Sequence, residues 1–144
     1  MPQAMATEIQ KQCETIEECY EFTLSFAARG LASDEGSELR EHLMRAVAAM
    51  RGLEQRCAET VAQQLAPAGK YEVFFAVLKR DAESALAAME LVLAQPTIGS
   101  QLIDNLNASI HLRALLADLF LITEILAAQE ARAKAHLANG TSPR

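Results

Sequence analysis

The chain has 144 residues, a formal net charge of −6 at pH 7 and an apolar fraction of 51%, with only 5% aromatic residues. A chain of this length can bury a core of its own without disulfide or metal cross-links. The acidic balance excludes a protein whose main task is to coat nucleic acid or an anionic membrane, although a local basic patch stays compatible with it. We therefore expect one domain over residues 1–138 and a disordered tail over residues 139–144.

Three groups of turn-forming residues, at residues 30–37, 67–69 and 96–100, divide the sequence into helical segments. Between them, apolar residues recur at spacings of three and four, which is typical of one face of a helix. The predicted helices cover about residues 4–29, 36–66, 70–95 and 98–137. Short turns place consecutive helices side by side. The sequence thus predicts an all-α fold, an antiparallel up-down-up-down four-helix bundle.

The first segment carries no basic region followed by an apolar stretch, so it does not predict a signal peptide. The apolar stretch Leu112–Leu126 is interrupted by Arg113, Asp118 and Glu124. It is also shorter than the ~20 residues that a membrane-spanning helix needs. The odd set of three cysteines lacks zinc-ligand spacing and predicts reduced thiols in the core. We expect a cytoplasmic protein with no membrane span, no metal and no cofactor.

The second predicted helix carries arginines in two pairs, Arg40 with Arg51 and Arg45 with Arg56, each eleven residues apart. Eleven residues are close to three helical turns, so the pairs would stack along one helix. Arginine in such rows suits the recognition of phosphate or carboxylate groups. Alternatively, the row is a solvated face that pairs with the glutamates of the same helix.

His42 lies beside this row, at the edge of the apolar stripe. With Arg45 at the third position after it and the small Ala46 at the fourth, the segment resembles the active helix of histidine phosphotransfer domains. Those domains are helical bundles in which an exposed histidine carries a phosphoryl group. The alternative is an ordinary histidine on a helix surface.

The last predicted helix is apolar on nearly every face from Leu112 onward. A helix of this kind must be covered on more than one side. In a small bundle the second cover would be another subunit or another protein. We expect self-association through this helix or through an edge of the first helix. The residues expected in this oligomer interface are Leu112, Leu115, Leu116, Leu119, Phe120 and Ile122.

The order of features along the whole chain resembles one family. The first helix ends in a Tyr-x-x-Thr-x-x-Phe pattern, the second has Arg-Ala after its apolar start, and the third opens with aromatic and leucine positions. The matching residues are Tyr20, Thr23, Phe26, Arg45, Ala46, Phe74, Leu78 and Ser84. These patterns are similar to those of the small four-helix-bundle proteins encoded in ribosomal-RNA intervening sequences and of the accessory variability determinant of diversity-generating retroelements. The family pattern has glutamine at the position of His42.

The resemblance implies a bacterial protein that assembles as a ring, typically a pentamer. In the retroelement branch it implies binding to a reverse transcriptase and its RNA. We therefore expect a non-enzymatic adaptor or accessory protein that self-associates and binds a protein or ribonucleoprotein, with the arginines of the second helix as the contact row. The alternatives are phosphotransfer through His42 and a structural or regulatory bundle.

Overall fold

A computed structural model describes residues 2–64 and 69–139. Every regular element within these ranges is a helix, so the predicted all-α class is confirmed. The helices are α1 (Pro2–Ala28), α2 (Leu39–Met50), α3 (Leu53–Gln64), α4 (Gly69–Leu93), α5 (Ser100–Ala108) and α6 (His111–Ala138). Most of the turn predicted at residues 67–69 and all but the first residue of the predicted tail lie outside the described residues.

Contacts along α1 show the direction of its neighbours. Phe22, near the end of α1, stacks on His42 at the start of α2, with ring centroids 4.2 Å apart. Gln12, earlier in α1, accepts a hydrogen bond of 3.0 Å from Arg56 of α3. The α2–α3 segment therefore runs antiparallel to α1. Helix α6 also runs antiparallel to α1. Residues 113–120 of α6 line one cavity with residues 17–24 of α1, and residues 120–127 of α6 line a second cavity with residues 10–17 of α1.

The core consists of the inward faces of all six helices. Its largest fully buried side chains are Phe26, Ile9, Ile16, Leu39, Leu43, Leu53, Leu78, Met89, Ile98, Ile103, Leu112 and Leu115. Cys13, Cys19 and Cys57 are free and buried among them, as the sequence predicts. Burial raises the pKa of the Cys19 and Cys57 thiols to about 12, so both behave as small apolar core residues.

The second predicted helix is wrong as a single element, because it breaks at Gly52 into α2 and α3. Gly52 has a φ of +71°, in the left-handed region that side chains with a Cβ rarely adopt. The Arg56 guanidinium reaches back over this turn and donates a hydrogen bond of 3.3 Å to the Ala49 carbonyl. This hydrogen bond provides a donor for one of the backbone carbonyls that lack a helical partner at the C-terminal end of α2.

The fourth predicted helix also breaks, at Ile110, into α5 and α6. Ile110 has a φ of 61° and is the only residue other than glycine with a positive φ among the described residues. The amide of Ile110 donates to the Asn107 carbonyl at 3.2 Å, while the Ile110 carbonyl accepts from Ala114 at 2.8 Å. The chain therefore ends one helix and starts the next without an intervening loop.

Two polar side chains join the loops at one end of the helices. The Ser100 hydroxyl accepts from the Leu31 amide at 2.8 Å and donates to the Phe26 carbonyl at 2.6 Å. The Asp34 carboxylate accepts from the Ile98 amide at 2.8 Å. These bonds tie the loop after α1 to the start of α5.

Candidate functional site

A groove runs along the protein surface between α1 and α6. It contains two cavities of about 340 and 370 Å³. Glu17 and Phe120 line both cavities and so mark the boundary between them. The residues that line this α1–α6 groove are Gln10, Cys13, Glu14, Glu17, Tyr20, Glu21 and Leu24 on α1, and Arg113, Leu116, Ala117, Phe120, Thr123, Glu124 and Ala127 on α6. Because α1 and α6 run antiparallel in direct contact, their side chains form the two walls of one continuous groove.

The floor of the groove is apolar, and its rims are acidic. Leu24 and Phe120 keep 46% and 45% of their surface exposed. Glutamates at residues 14, 17, 21 and 124 surround them, against one cation, Arg113. A groove of this composition binds apolar side chains and attracts positive charge around them.

The Cys13 thiol also faces this groove, but it is poorly suited to act as a nucleophile. Burial, and to a smaller extent the neighbouring Glu17 and Glu14 carboxylates, raise its pKa to about 11. Because the thiolate is the reactive form, such a thiol stays inert near neutral pH. Cys13 therefore contributes apolar surface to the groove.

Five of the six residues predicted in an oligomer interface are instead part of the chain's own core. Leu112, Leu115, Leu116, Leu119 and Ile122 expose between 0% and 3% of their surface. They lie on the side of α6 that packs against α1 and α4. Phe120 alone of the six lies on the surface.

Helix α6 nevertheless presents a second apolar face, which we call the α6 outer face. It comprises Ala117, Phe120, Leu121, Ile125 and Ala128, and the exposed Glu124 lies among them. Phe120, Leu121 and Ile125 expose 45%, 55% and 38% of their surface. Helix α6 thus has apolar residues on more than one side, and Phe120 is the one predicted interface residue among those that are exposed. The oligomer interface itself stays a prediction.

The predicted arginine row is not continuous, since the break at Gly52 places its members on two helices and a turn. Arg40 is fully engaged within the chain: it contacts Asp34 at 2.7 Å and donates to the carbonyls of Leu93 and Gln95 at 3.1 and 2.7 Å. Arg56 caps α2 as described above. These two side chains hold loops and helix ends together.

The other two arginines are on the surface. Arg51 forms an ion pair with Glu90 of α4. Arg45 is exposed, and its Nε donates a long bond of 3.4 Å to the Glu41 carbonyl of its own helix. A contact of the row with a partner stays a prediction, and Arg45 is the member whose guanidinium is most available for it.

His42 lies partly exposed at the start of α2. Its ring stacks on Phe22 with an interplanar angle of 21°, and the side chain keeps 18% of its surface exposed. Its Nε2 lies 4.0 Å from a carboxylate oxygen of Glu38. A phosphoryl group on Nε2 would meet this negative charge at short range. Phosphotransfer through His42 stays a prediction that this arrangement disfavours.

A buried carboxyl group that sequence reasoning did not single out lies between α4 and α6. Asp118 exposes 9% of its surface, and its Oδ2 has no hydrogen-bond partner among the described residues. Burial raises the pKa of Asp118, and the neighbouring Asp81 raises it further through a hydrogen bond and through its charge, so that the pKa is about 7. The pair lies inside the helix packing and not in the groove.

The groove itself was also missed by sequence reasoning, although a signal for it exists. Residues 14, 17 and 21 are glutamates at spacings of three and four, next to the apolar edge formed by residues 13, 20 and 24. Such an acidic stripe beside an apolar stripe marks a helix edge that can accept a basic partner.

No family model, curated protein or solved structure matches this sequence. Within the described ranges, no helix is both long and apolar enough to cross a membrane. The same part of the chain contains no cluster of three or more His, Cys, Asp or Glu residues that could hold a metal ion.

Proposed function

We propose that this protein is a non-enzymatic helical-bundle adaptor, which self-associates through the α6 outer face and binds a protein partner in the α1–α6 groove. Its scaffold would be an antiparallel four-helix bundle whose four legs are α1, α2–α3, α4 and α5–α6. The observation that carries the proposal is the pairing of two apolar surfaces on α6, on either side of Phe120, outside a core that is already complete. Exposed apolar surface of this kind marks protein interaction sites.

The cysteine thiols and two of the four arginines of the predicted contact row are buried or bound within the chain. All three cysteine thiols have raised pKa values, mainly because of burial. Arg40 and Arg56 are held by hydrogen bonds within the chain. Groups that are buried or engaged in this way contribute to the stability of the fold.

The finer form of the proposal follows from the family resemblance. It would make the assembly a ring, typically a pentamer, and the partner a reverse transcriptase with its RNA. The acidic rims of the groove support contact with a protein segment there, because four glutamates would repel phosphate groups. Contact with RNA, if the partner carries it, would then fall to Arg45 on α2.

Light scattering coupled to size-exclusion chromatography tests the self-association. One chain has a mass of 15.7 kDa, and we expect several times that mass. The double substitution Leu121→Glu/Ile125→Glu on the outer face should shift the protein to the monomer mass without loss of helicity in circular dichroism. A matched control is Met44→Glu/Leu91→Glu, which adds the same charge at apolar side chains that are 60% and 67% exposed on other helices.

The control variant should keep the wild-type mass. A wild-type protein that elutes at the monomer mass over a wide concentration range would refute self-association. Equal masses of the wild type and the outer-face variant, both above one chain, would show that the assembly uses another surface.

A further inference from the structure

We propose that the α1–α6 groove receives a basic amphipathic helix of a partner protein, with two bulky apolar side chains placed two turns apart. This inference rests on the proposed docking role of the groove and names the chemistry of its partner. The occupant is specified by three features of the groove, namely the spacing of its cavities, the partition between them and the charge of its rims.

The spacing of the two cavities matches one helix face. The α1 residues of the first cavity span residues 10–17, and those of the second span residues 17–24. On α6 the corresponding ranges are 120–127 and 113–120. Each shift is seven residues, or about 10.5 Å along a helix axis. Positions i and i+7 of a docked helix are separated by the same distance and lie on the same face.

The partition between the cavities restricts the middle of the docked helix. Phe120 contributes to both cavities and keeps 45% of its surface exposed. A bulky side chain at i+3 or i+4 would collide with its ring, whereas alanine or glycine at these positions would allow a close approach. The groove therefore favours a pattern of large, small and large side chains along one face of the partner helix.

The charge of the rims decides the sign of the partner. Glu14, Glu17 and Glu21 lie along the α1 side and Glu124 along the α6 side, while Arg113 is the single cation of the lining. Lysine or arginine flanking the apolar face would meet carboxylates on both rims. Complementary charge of this kind increases the association rate and excludes acidic competitors.

A second copy of this chain fits the groove less well. The end of α6 is exposed over residues 131–139 and could reach a neighbouring molecule. Its one large apolar side chain is Leu137, and its other apolar residues are alanines. One leucine fills one of the two cavities, so the groove calls for a partner with a second anchor.

The probe is a capped synthetic peptide of about 18 residues, with leucines seven positions apart, alanines midway and lysine or arginine on both flanks. It is titrated into the ¹⁵N-labelled full chain and followed by amide chemical shifts. We expect saturable shifts confined to residues 10–24 and 113–127, with an affinity that weakens as salt rises from about 50 to about 300 mM.

Charge reversal in the protein provides the matched comparison. Glu17→Lys/Glu21→Lys should weaken peptide binding roughly tenfold or more. Glu41→Lys/Glu59→Lys, which makes the same charge change at exposed positions of α2 and α3, should leave the affinity within about twofold. Circular dichroism of both variants checks that the fold is kept.

A second peptide, in which glutamate replaces every lysine and arginine, separates the two levels of the proposal. Equal binding of both peptides in the groove would overturn the basic partner while the docking role stands. Shifts outside the groove, or none with either peptide, would overturn both. A third outcome is that the groove amides shift with protein concentration alone and that the basic peptide does not reverse these shifts. This would assign the groove to a second copy of the chain and overturn the inference.

Discussion

At the scale of single residues, the buried carboxyl group of Asp118 is costly for the fold to hold in its ionised form. Its carboxyl lies beside that of Asp81, and one of its oxygens is buried without a partner among the described residues. The folded chain therefore retains a proton that the unfolded chain releases. Below about pH 4 both states are protonated, and between about pH 4 and about pH 7 the free energy of unfolding falls as pH rises, because only the folded state keeps the proton. Above about pH 7 the full cost is present.

We predict that Asp118→Asn stabilises the protein, and more so at high pH. The amide is neutral and can donate a hydrogen bond to Asp81, so the gain should reach about 1–3 kcal/mol at about pH 8 and shrink towards zero at about pH 4.5. Urea unfolding at both pH values measures it. Asp104→Asn, at an exposed position of α5, is the control and should change little at either pH. A gain that is the same at both pH values would contradict the assignment.

A second residue-scale prediction concerns Ile110, a β-branched residue with a φ of 61°. Backbone strain in this region costs of order 1 kcal/mol, and asparagine or glycine relieves much of it. Because Ile110 is 60% exposed, its replacement loses little burial. We expect Ile110→Asn to raise the free energy of unfolding by about 0.5–1 kcal/mol in urea. Leu91→Asn, equally exposed but helical, should instead lower it slightly.

At the scale of elements, Arg40 and Asp34 join three segments: the loop before α2, the end of α4 and the start of α5. The Arg40 guanidinium donates to Asp34 and to two carbonyls at the end of α4, while Asp34 also accepts from the Ile98 amide. Burial tends to raise the pKa of Asp34, but the hydrogen bond from Ile98 and the Arg40 guanidinium outweigh it and lower that pKa below its ordinary value. The stabilisation from Asp34 is therefore present above about pH 4 and is lost as pH falls.

We predict that Arg40→Ala destabilises the protein by about 2–3 kcal/mol at pH 7, because it leaves the carboxylate and two carbonyls without their donor. Arg40→Lys should recover only part of this loss, since one ammonium group cannot reproduce the geometry of the guanidinium. Arg45→Ala is the control and should stay within about 0.5 kcal/mol. Equal urea midpoints for Arg40→Ala and Arg45→Ala would show that Arg40 is as dispensable as a surface residue.

The elements show which parts of the fold the sequence could predict. The helical class and the turns near residues 30–37 and 96–100 follow from apolar spacing and from glycine, serine and proline, which act locally. The break at Gly52 was missed because a single glycine is also tolerated inside a helix, and the apolar spacing continues across it. The break at Ile110 was missed because isoleucine is a poor residue for a left-handed turn. The signal before it is weak, since Asn107 and Ser109 favour turns but are also found inside helices.

The candidate site divides in the same way. An exposed apolar helix face could be predicted, because no single core can cover every side of α6. Which residues face outward was missed, although residues 112, 115, 116, 119, 122 and 126 have the spacing of one inward stripe. The arginine row stays a prediction, but its geometry changes for a related reason: side chains counted along one straight helix are separated when that helix breaks. Arg40 also binds the Gln95 carbonyl, which is remote in the sequence, and Arg56 binds the Ala49 carbonyl across the break.

At the scale of the whole molecule, Phe120 and its neighbour on the helix surface, Ala117, belong both to the α6 outer face and to the α1–α6 groove. Self-association and partner binding would therefore compete for the same surface, in which the Phe120 ring is the largest group. If a ligand binds one assembly state better than another, it shifts the population of those states, and the coupling is reciprocal. A basic amphipathic peptide in the groove should thus favour smaller assemblies, and high protein concentration should weaken the apparent affinity for the peptide.

Three single-site comparisons separate the two events. Phe120→Ala should weaken self-association and peptide binding together, because the ring is lost from both surfaces. Leu121→Glu should reduce the mass measured by light scattering while peptide affinity is kept or increased, since the groove is freed. Glu17→Lys should weaken peptide binding and leave the mass unchanged, because Glu17 lies on the groove and not on the outer face. If Leu121→Glu lowered peptide affinity as much as Phe120→Ala does, the two surfaces would be one interface, and assembly would be the condition for partner binding rather than its competitor.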